Sequence, residues 1–201
     1  MNRIAEVNRV TKETELYLKL NLDGQGDARL HYPIGFMEHV LTTFTKHSLF
    51  DLELKGSGDL GVDQHHLVED TGIVLGQAFA KALGERRGIR RVGSCLFPMD
   101  ETLARAAADI SGRAFLAFQG TLSNLPLVSG TASFQTDTVE DFWQGFTVSA
   151  GITLHLDILR GRSDHHKIEA LFKAAARALR DAVEIDFRAT DRIPSTKGIL
   201  V

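Results

Sequence analysis

The chain has 201 residues, of which 43% are hydrophobic and 24% are charged, and its formal net charge is −3. This length is enough for a domain with its own core, and the modest charge argues against a nucleic-acid-binding surface or a disordered chain. A single cysteine, Cys95, excludes an intrachain disulfide and is typical of a reducing compartment. Neither a signal-peptide pattern nor a run near the ~20 apolar residues of a membrane span is present. We expect a soluble cytoplasmic protein without nucleic-acid or membrane partners.

Alternating and helical patterns predict the elements of the first half. Strands are expected at 2–10 and 14–22, and Asp23-Gly24-Gln25-Gly26 predicts a hairpin turn into a return strand that ends near Tyr32. Helical periodicity then predicts a helix from Ile34 to about His47. A strand over 49–55 and a second helix over about 65–84 complete this half.

The second half repeats this order. Strands are predicted at 102–110 and 114–118, followed by a helix over about 139–150, a strand over 152–159 and a final helix that begins near residue 165. The shared unit is strand, strand, helix, strand, helix, and internal duplication is the simplest account of it. We therefore expect a single α+β domain built from two repeats, about 1–92 and 93–201, that packs as a two-layer sheet/helix sandwich.

The second helix of each half opens with the motif His-His-x-x-Glu. The motif residues are His65, His66 and Glu69 in the first half and His165, His166 and Glu169 in the second. In each copy the first His and the Glu share one helix face, while the second His lies about 100° around the helix. Clustered imidazoles and carboxylates at this spacing suit first-row metal ions. If the two helices face each other, each of two ions would take the first His and the Glu of one copy and the second His of the other.

The duplication suggests a fourth ligand for each ion. His39 stands 26 residues before His65, and Asp141 stands 24 residues before His165, on the first helix of each half. One predicted set is His39, His66, His165 and Glu169, and the other is Asp141, His65, His166 and Glu69. An ordinary charged helix start is an equal alternative for Asp141, because carboxylates are favourable near helix N-termini. A further carboxylate, Asp63, is expected to orient a ligand histidine.

Several other segments accompany these motifs in a fixed order. They are Gly35-Phe36-Met37-Glu38-His39-Val40-Leu41, His47-Ser48-Leu49-Phe50-Asp51-Leu52, Pro98-Met99-Asp100-Glu101, Asp109-Ile110-Ser111-Gly112-Arg113 and Pro194-Ser195-Thr196-Lys197-Gly198. With both His-His segments, the chain resembles the imidazoleglycerol-phosphate dehydratase family over essentially its whole length. The resemblance implies a fold of the ribosomal protein S5 domain 2 type, two Mn2+ ions per active site, and a metal-dependent homo-oligomer of 24 subunits built from trimers. It also implies active sites at subunit contacts. The chain departs from the family pattern at Asp141, where a His is usual.

The reaction implied by the resemblance is dehydration of D-erythro-imidazole-glycerol phosphate to imidazole-acetol phosphate in histidine biosynthesis. No carbonyl acidifies the carbon-bound proton, so the imidazole ring has to accept the developing charge, which metal-stabilised imidazolate chemistry would support. Glu13 and Glu169 are the candidate acid and base, and both assignments stay open. The implied substrate contacts are Glu13, His39, His47, His65, His66, Glu69, Arg91, Arg113, His166, Lys173, Ser195, Thr196 and Lys197. Of these, Arg91, Arg113, Ser195 and Lys197 form the implied phosphate-binding set.

Two other functions fit the duplicated motif taken alone. A metal-dependent hydrolase would use the ions to activate water, and a storage or scaffold protein would simply hold metal. The order of the motifs disfavours the hydrolase, and a storage site has no use for phosphate-binding residues. Ordinary roles also compete at single positions: a surface charge for Glu13, a helix-dipole partner for His47, and a disordered end for 194–198. We predict instead that this tail orders over the ligand.

Overall fold

The computed structural model describes residues 3–123, 125–129, 132–190, 192–198 and 200. The first half contains β1 (Ile4–Val10), β2 (Thr14–Asn21), β3 (Ala28–His31), α1 (Gly35–Ser48), β4 (Asp51–Gly58) and α2 (His65–Leu83). The second half contains β5 (Val92–Met99), β6 (Thr102–Asp109), β7 (Phe115–Gln119), β8 (Leu127–Ser129), β9 (Ala132–Phe134), α3 (Thr138–Ala150), β10 (Thr153–Arg160) and α4 (Asp164–Val183). The predicted helices begin and end within two residues of α1, α2 and α3.

The strands form two similar four-stranded mixed sheets, so the fold is α+β. The order is β1-β2-β4-β3 in the first sheet and β5-β6-β10-β7 in the second. Within each sheet the neighbours are antiparallel except for the last pair, because β3 runs parallel to β4 and β7 runs parallel to β10. Strands β8 and β9 form a separate antiparallel pair. The two sheets therefore share both strand order and strand direction.

The hairpin predicted after β2 is wrong. Residues 23–26 do turn the chain, but β3 pairs in parallel with β4, for example Leu30 with Leu54, because β1 and β4 already occupy both edges of β2. The turn is held from β4 instead. Asp51 Oδ1 accepts hydrogen bonds from three successive backbone N–H groups, those of residues 25–27, at 2.8 to 3.1 Å. After β2 the chain therefore crosses to the far edge of the sheet to form β3, and α1 then leads back to β4, which lies between β2 and β3.

The predicted repeat unit is one strand short. Each half has three strands of its four-stranded sheet before its first helix, since β5 takes the place in the second sheet that β1 takes in the first. No strand was predicted over Val92–Met99, because Gly93 and Pro98 interrupt its apolar alternation. The pair β8–β9 was likewise not predicted, in a connection rich in Gly, Pro and Ser.

The helices lie between the two sheets. Helix α2 packs on the first sheet and on α3, while α4 packs on the second sheet and on α1. Inward-facing residues of β2 and β6, such as Leu18 and Ala106, are fully buried, and the strand residues between them reach solvent. The predicted two-layer arrangement fits each half, and the halves join through their helical layers. Of the helices in the described ranges, none has the length and apolar character needed to cross a bilayer.

Each motif helix packs on the first helix of the other half, which differs from the predicted face-to-face pairing of α2 and α4. Helices α2 and α3 approach closely because α2 carries glycines one turn apart. A Cβ on Gly72 would lie 2.1 Å from the Phe142 carbonyl oxygen, and one on Gly76 would lie 2.4 Å from that of Phe146. Only glycine permits this separation of the two backbones.

Aromatic side chains fill the join between the halves. Trp143 on α3 is fully buried, and its ring centroid lies 4.8 Å from that of Phe172 on α4 and 6.2 Å from that of Phe44 on α1. Burying each such ring stabilises the fold by roughly 2 to 3 kcal/mol. This packing fixes the three helices relative to one another, and therefore the side chains at their ends.

Candidate metal centre

The first cluster joins His39 of α1 to His165 and Glu169 of α4. Glu169 Oε2 lies 3.1 Å from His39 Nε2 and 3.2 Å from His165 Nε2. One ligand atom from each residue lies within 4.8 Å of the other two. His165 and Glu169 share a helix face, as their spacing predicted, and the packing of α1 on α4 adds His39. Both imidazoles are about half exposed while Glu169 is nearly buried.

A lysine one turn further along α4 fixes the charge of this cluster. Lys173 Nζ lies 2.7 Å from Glu169 Oε1, which leaves Oε2 to the imidazoles. Burial raises the pKa of Glu169, but the hydrogen bonds from Lys173 and then His39 outweigh it and lower the pKa to about 2. Glu169 is therefore a carboxylate at neutral pH, paired on one oxygen with an ammonium.

The second cluster joins His65 and Glu69 of α2 to Asp141 of α3. His65 Nδ1 lies 3.2 Å from Asp141 Oδ2, and His65 Nε2 lies 3.7 Å from Glu69 Oε2. Because different ring nitrogens face the two carboxylates, the ring stands between them and the cluster is wider than the first. The position that matches Lys173, eight residues after the first motif His, is Ile73. The second cluster thus has two carboxylates, and no lysine at that helix position, so its charge favours a cation more strongly.

The second His of each motif turns to a carboxylate outside the clusters. His66 Nδ1 lies 3.1 Å from Asp59 Oδ2, and His166 Nδ1 lies 2.8 Å from Glu101 Oε2. An imidazole that donates Nδ1–H to a carboxylate presents the lone pair of Nε2 to a ligand. The pKa of Glu101 is far below its usual range, first because of His166 and then because of the Ser163 backbone N–H. The sequence had assigned His66 to the cluster of His165 and Glu169, and His166 to the cluster of His65 and Glu69. Within this chain, neither imidazole joins its assigned cluster.

Comparison with known proteins decides the family. Residues 33–179 match the family model described as imidazoleglycerol-phosphate dehydratase. The imidazoleglycerol-phosphate dehydratase of Methylorubrum populi is 51% identical over 198 residues, which cover 98% of this chain and 100% of that protein. The one from Thermoanaerobacter sp. is 51% identical over 199 residues, with the same two coverages. This chain belongs to the imidazoleglycerol-phosphate dehydratase family.

Solved structures of dehydratases show the same fold. The Staphylococcus aureus enzyme superposes with a TM-score of 0.80 at 38% identity, covering 91% of this chain and 99% of that one. The Pyrococcus furiosus enzyme, solved in complex with (S)-C348, gives a TM-score of 0.78 at 30% identity, with coverages of 96% and 100%. Membership makes the chain a dehydratase, a hydro-lyase of histidine biosynthesis.

The dehydratase resemblance assigned substrate contacts to Glu13 and His47. The structure places Glu13 near His66 and His47 near Lys173. Glu13 lies in the β1–β2 turn, 54% exposed, and its Oε2 is 3.9 Å from His66 Nδ1, too far for a hydrogen bond. His47 lies in the last turn of α1, with its ring edge-on to Phe97 at 5.2 Å. Burial, then Lys173, lowers the pKa of His47, so its ring is neutral at pH 7.

The phosphate set implied for a dehydratase is partly assembled. Arg91 binds Asp109 through two nitrogens, at 2.7 and 3.1 Å, and its Nη1 donates to the Pro194 carbonyl at 2.8 Å. This contact places the tail beside Arg91, with Ser195 and Lys197 in one turn, where Ser195 Oγ accepts from the Lys197 N–H at 3.2 Å. Arg113 and Thr196 lie exposed, Arg113 after the turn that follows β6.

Sequence reasoning missed two carboxylates of the dehydratase centre and misplaced a third. Asp63 was expected to orient a ligand histidine, but its Oδ1 accepts the backbone N–H of His65, the first residue of α2, at 2.8 Å. Asp59 and Glu101 contact the motif histidines instead. Glu101 ends the segment Pro98-Met99-Asp100-Glu101 and directly precedes β6, as Glu13 directly precedes β2. This correspondence could have identified Glu101 from the sequence. Asp59 belongs to no motif and is revealed by the fold.

Proposed function

We propose that the chain dehydrates D-erythro-imidazole-glycerol phosphate to imidazole-acetol phosphate with two Mn2+ ions at the centre. The observation that carries this is the His39–His165–Glu169 cluster in a member of this family. Imidazole and carboxylate are competent Mn2+ ligands, and here the carboxylate is ionised and both rings are open to solvent. One ion would be held by this cluster and the other by His65, Glu69 and Asp141.

We propose that His66 and His166 complete the ligand sets in neighbouring copies of an oligomer, expected to be a 24-mer of trimers. Each cluster has three donors from one chain and stands partly exposed, which leaves coordination positions for another imidazole. Exposed apolar side chains near the start of α2 support a subunit contact there. Val62 is 70% exposed and lines, with Leu60 and Pro126, a cavity of about 510 Å³. Such surfaces are typical of protein interfaces.

The proposed chemistry divides between the ions and the side chains. When bound, the ions supply Lewis-acid stabilisation for the negative charge that develops on the substrate's imidazole ring. Glu169 is a candidate to accept a proton because it is ionised at neutral pH, although a pKa of about 2 and the ion pair with Lys173 make it a weak base. Glu13 is exposed and its carboxylate lies beyond hydrogen-bond distance of His66, which leaves it free to exchange protons with substrate and solvent. His39 and Lys173 hold Glu169 in place.

We assign the substrate phosphate to Arg91, Arg113, Ser195 and Lys197, with Thr196 as a further substrate contact. Among the described residues, Arg91 donates to Asp109 through two nitrogens and to the Pro194 carbonyl through a third, which leaves two of its five N–H groups for phosphate. The hydroxyls and the ammonium of the tail then supply the donors that phosphate requires. This arrangement supports the prediction that the tail orders over the ligand.

Two organisational proposals accompany this function. We propose that the chain is one domain of two repeats that meet near residue 92, since both sheets have the same strand order. We also propose that the enzyme is cytoplasmic, in keeping with a single free cysteine.

The proposed function is tested by turnover with the defined substrate. Protein loaded with Mn2+ is incubated with imidazoleglycerol phosphate, and imidazole-acetol phosphate is followed by the absorbance of its enol form, with chelator-treated protein and His165→Ala as controls. We expect turnover that requires Mn2+ and is lost in His165→Ala. Release of inorganic phosphate without enol would support a hydrolase, and Mn2+ binding without any turnover would support storage; either result contradicts the proposal.

A further inference from the structure

Two glutamates occupy matching places in the two halves. Glu13 directly precedes Thr14, the first residue of β2, and Glu101 directly precedes Thr102, the first residue of β6. Strands β2 and β6 are second in their sheets, and each glutamate faces the second His of the motif helix in its own half. One of this pair, Glu13, is a candidate for proton transfer. The other has no assigned role.

The surroundings of Glu101 show a side chain that is held in place. Its Oε2 lies 2.8 Å from His166 Nδ1. Its Oε1 accepts the backbone N–H groups of Ser163 and Arg162, at 3.0 and 3.2 Å, and the Thr102 hydroxyl at 3.3 Å. A carboxylate with four such contacts is poorly suited to move a proton, and well suited to fix the direction of an imidazole.

Glu13 differs from Glu101 because another carboxylate, that of Asp59, contacts the motif histidine of its half. The residue after β4 is Asp59, whose Oδ2 lies 3.1 Å from His66 Nδ1, while Glu13 Oε2 lies at 3.9 Å. The residue after β10, at the matching place, is Gly161, which carries no side chain. In the first half Asp59 holds the ring and leaves Glu13 free, whereas in the second half Glu101 holds the ring.

We propose that Glu101 is a positioning residue that fixes the His166 imidazole with Nε2 presented to a metal ion, and that its counterpart Glu13 alone of the pair transfers protons. This inference rests on the proposed function, because it takes His166 as a ligand. A carboxylate that accepts Nδ1–H selects the tautomer whose Nε2 lone pair is free. Loss of such a partner weakens metal affinity by about 10- to 100-fold.

The test compares Glu101→Gln with Glu13→Gln in the full-length protein. Binding of Mn2+ is titrated by the electron paramagnetic resonance signal of the free ion, and kcat is measured at saturating Mn2+. Glu101→Gln should weaken Mn2+ binding about 10- to 100-fold and keep most of kcat once metal is saturating. Glu13→Gln should leave Mn2+ binding unchanged and lower kcat by about 10²- to 10⁴-fold.

A double substitution separates orientation of the ring from support of the loop at 162–163. In a His166→Ala background, Glu101→Gln should weaken Mn2+ binding little further, because the ring that it orients is gone. The inference is overturned if Glu101→Gln binds Mn2+ like the unsubstituted protein, if its kcat falls as far as that of Glu13→Gln, or if its effect persists undiminished in His166→Ala. Failure of the unsubstituted protein to bind Mn2+ would instead overturn the proposed function, and this inference with it.

Discussion

Replacing Gly72 with Ala should loosen the second cluster and leave the first intact. The added methyl carbon would lie 2.1 Å from the Phe142 carbonyl oxygen, whereas ordinary contact begins near 3.4 Å. Helix α3 would have to withdraw by about 1 Å, since the clash is with backbone and not with a flexible side chain. Asp141 is the neighbour of Phe142, so it would move away from His65, 3.2 Å from it at present.

The energetic cost of this substitution follows from two opposing effects. Overpacking of this kind costs roughly 3 kcal/mol at the upper end of its usual range, and replacing a helical Gly by Ala returns about 1 kcal/mol. The expected net loss of unfolding free energy is about 2 kcal/mol, or a Tm lowered by roughly 4 to 8 °C for a chain of this size. Calorimetry measures the Tm, and Mn2+ titration should show one class of site weakened and the other unchanged.

Gly35→Ala is the matched control. It also places Ala in a helix, at the start of α1, but apart from the chain neighbours and the helix's own backbone no described atom lies within 4 Å of the added carbon. Its Tm should equal or slightly exceed that of the unsubstituted protein. The reasoning is refuted if Gly72→Ala has the same Tm as Gly35→Ala and still binds Mn2+ at both classes of site.

Two further predictions concern carboxylates with lowered pKa values. Burial raises the pKa of Asp51, but the turn's backbone N–H groups hold it below its ordinary 3.8; Asp51→Asn should therefore cost about 1 to 3 kcal/mol at pH 7. This deficit should shrink as the pH falls below about 3.8 and through the folded-state pKa, and an equal deficit in unfolding free energy at pH 7 and at low pH would contradict it. In metal-free Lys173→Met, the pKa of Glu169 should rise from about 2 toward 4.5, because the ammonium at 2.7 Å is lost. Carbon-13 NMR of the carboxyl group measures this, with Lys173→Arg as the charge-preserving control; an unmoved pKa in Lys173→Met would show that Lys173 is not the cause.

Local sequence patterns predicted the helices better than the partners of the strands. Helices α1 to α3 follow from apolar periodicity, which depends on neighbouring residues alone. The turn at 23–26 has the composition of a hairpin, yet β3 pairs with β4, because the choice of partner depends on which sheet edges other strands have taken. That information lies in residues far along the chain, including β4 and the crossover through α1.

The candidate centre was predictable in its composition but not in its grouping. Periodicity placed His165 with Glu169 on one helix face, and the duplication pointed to His39, which the fold adds to them. The same reasoning placed His166 near His65, whereas the helices pack so that His166 meets Glu101. The direction in which helices pack depends on the shapes of many side chains at once, among them the small residue Gly72. The spacing of residues within one helix does not predict that direction.

Both clusters draw donors from both halves of the molecule. The first takes His39 from one half and His165 with Glu169 from the other, and the second takes His65 with Glu69 from one and Asp141 from the other. Neither half alone therefore contains all three donors of either cluster. A single half would have to pair with a second copy before three donors could meet at one ion, and the covalent link between the halves makes that pairing unnecessary.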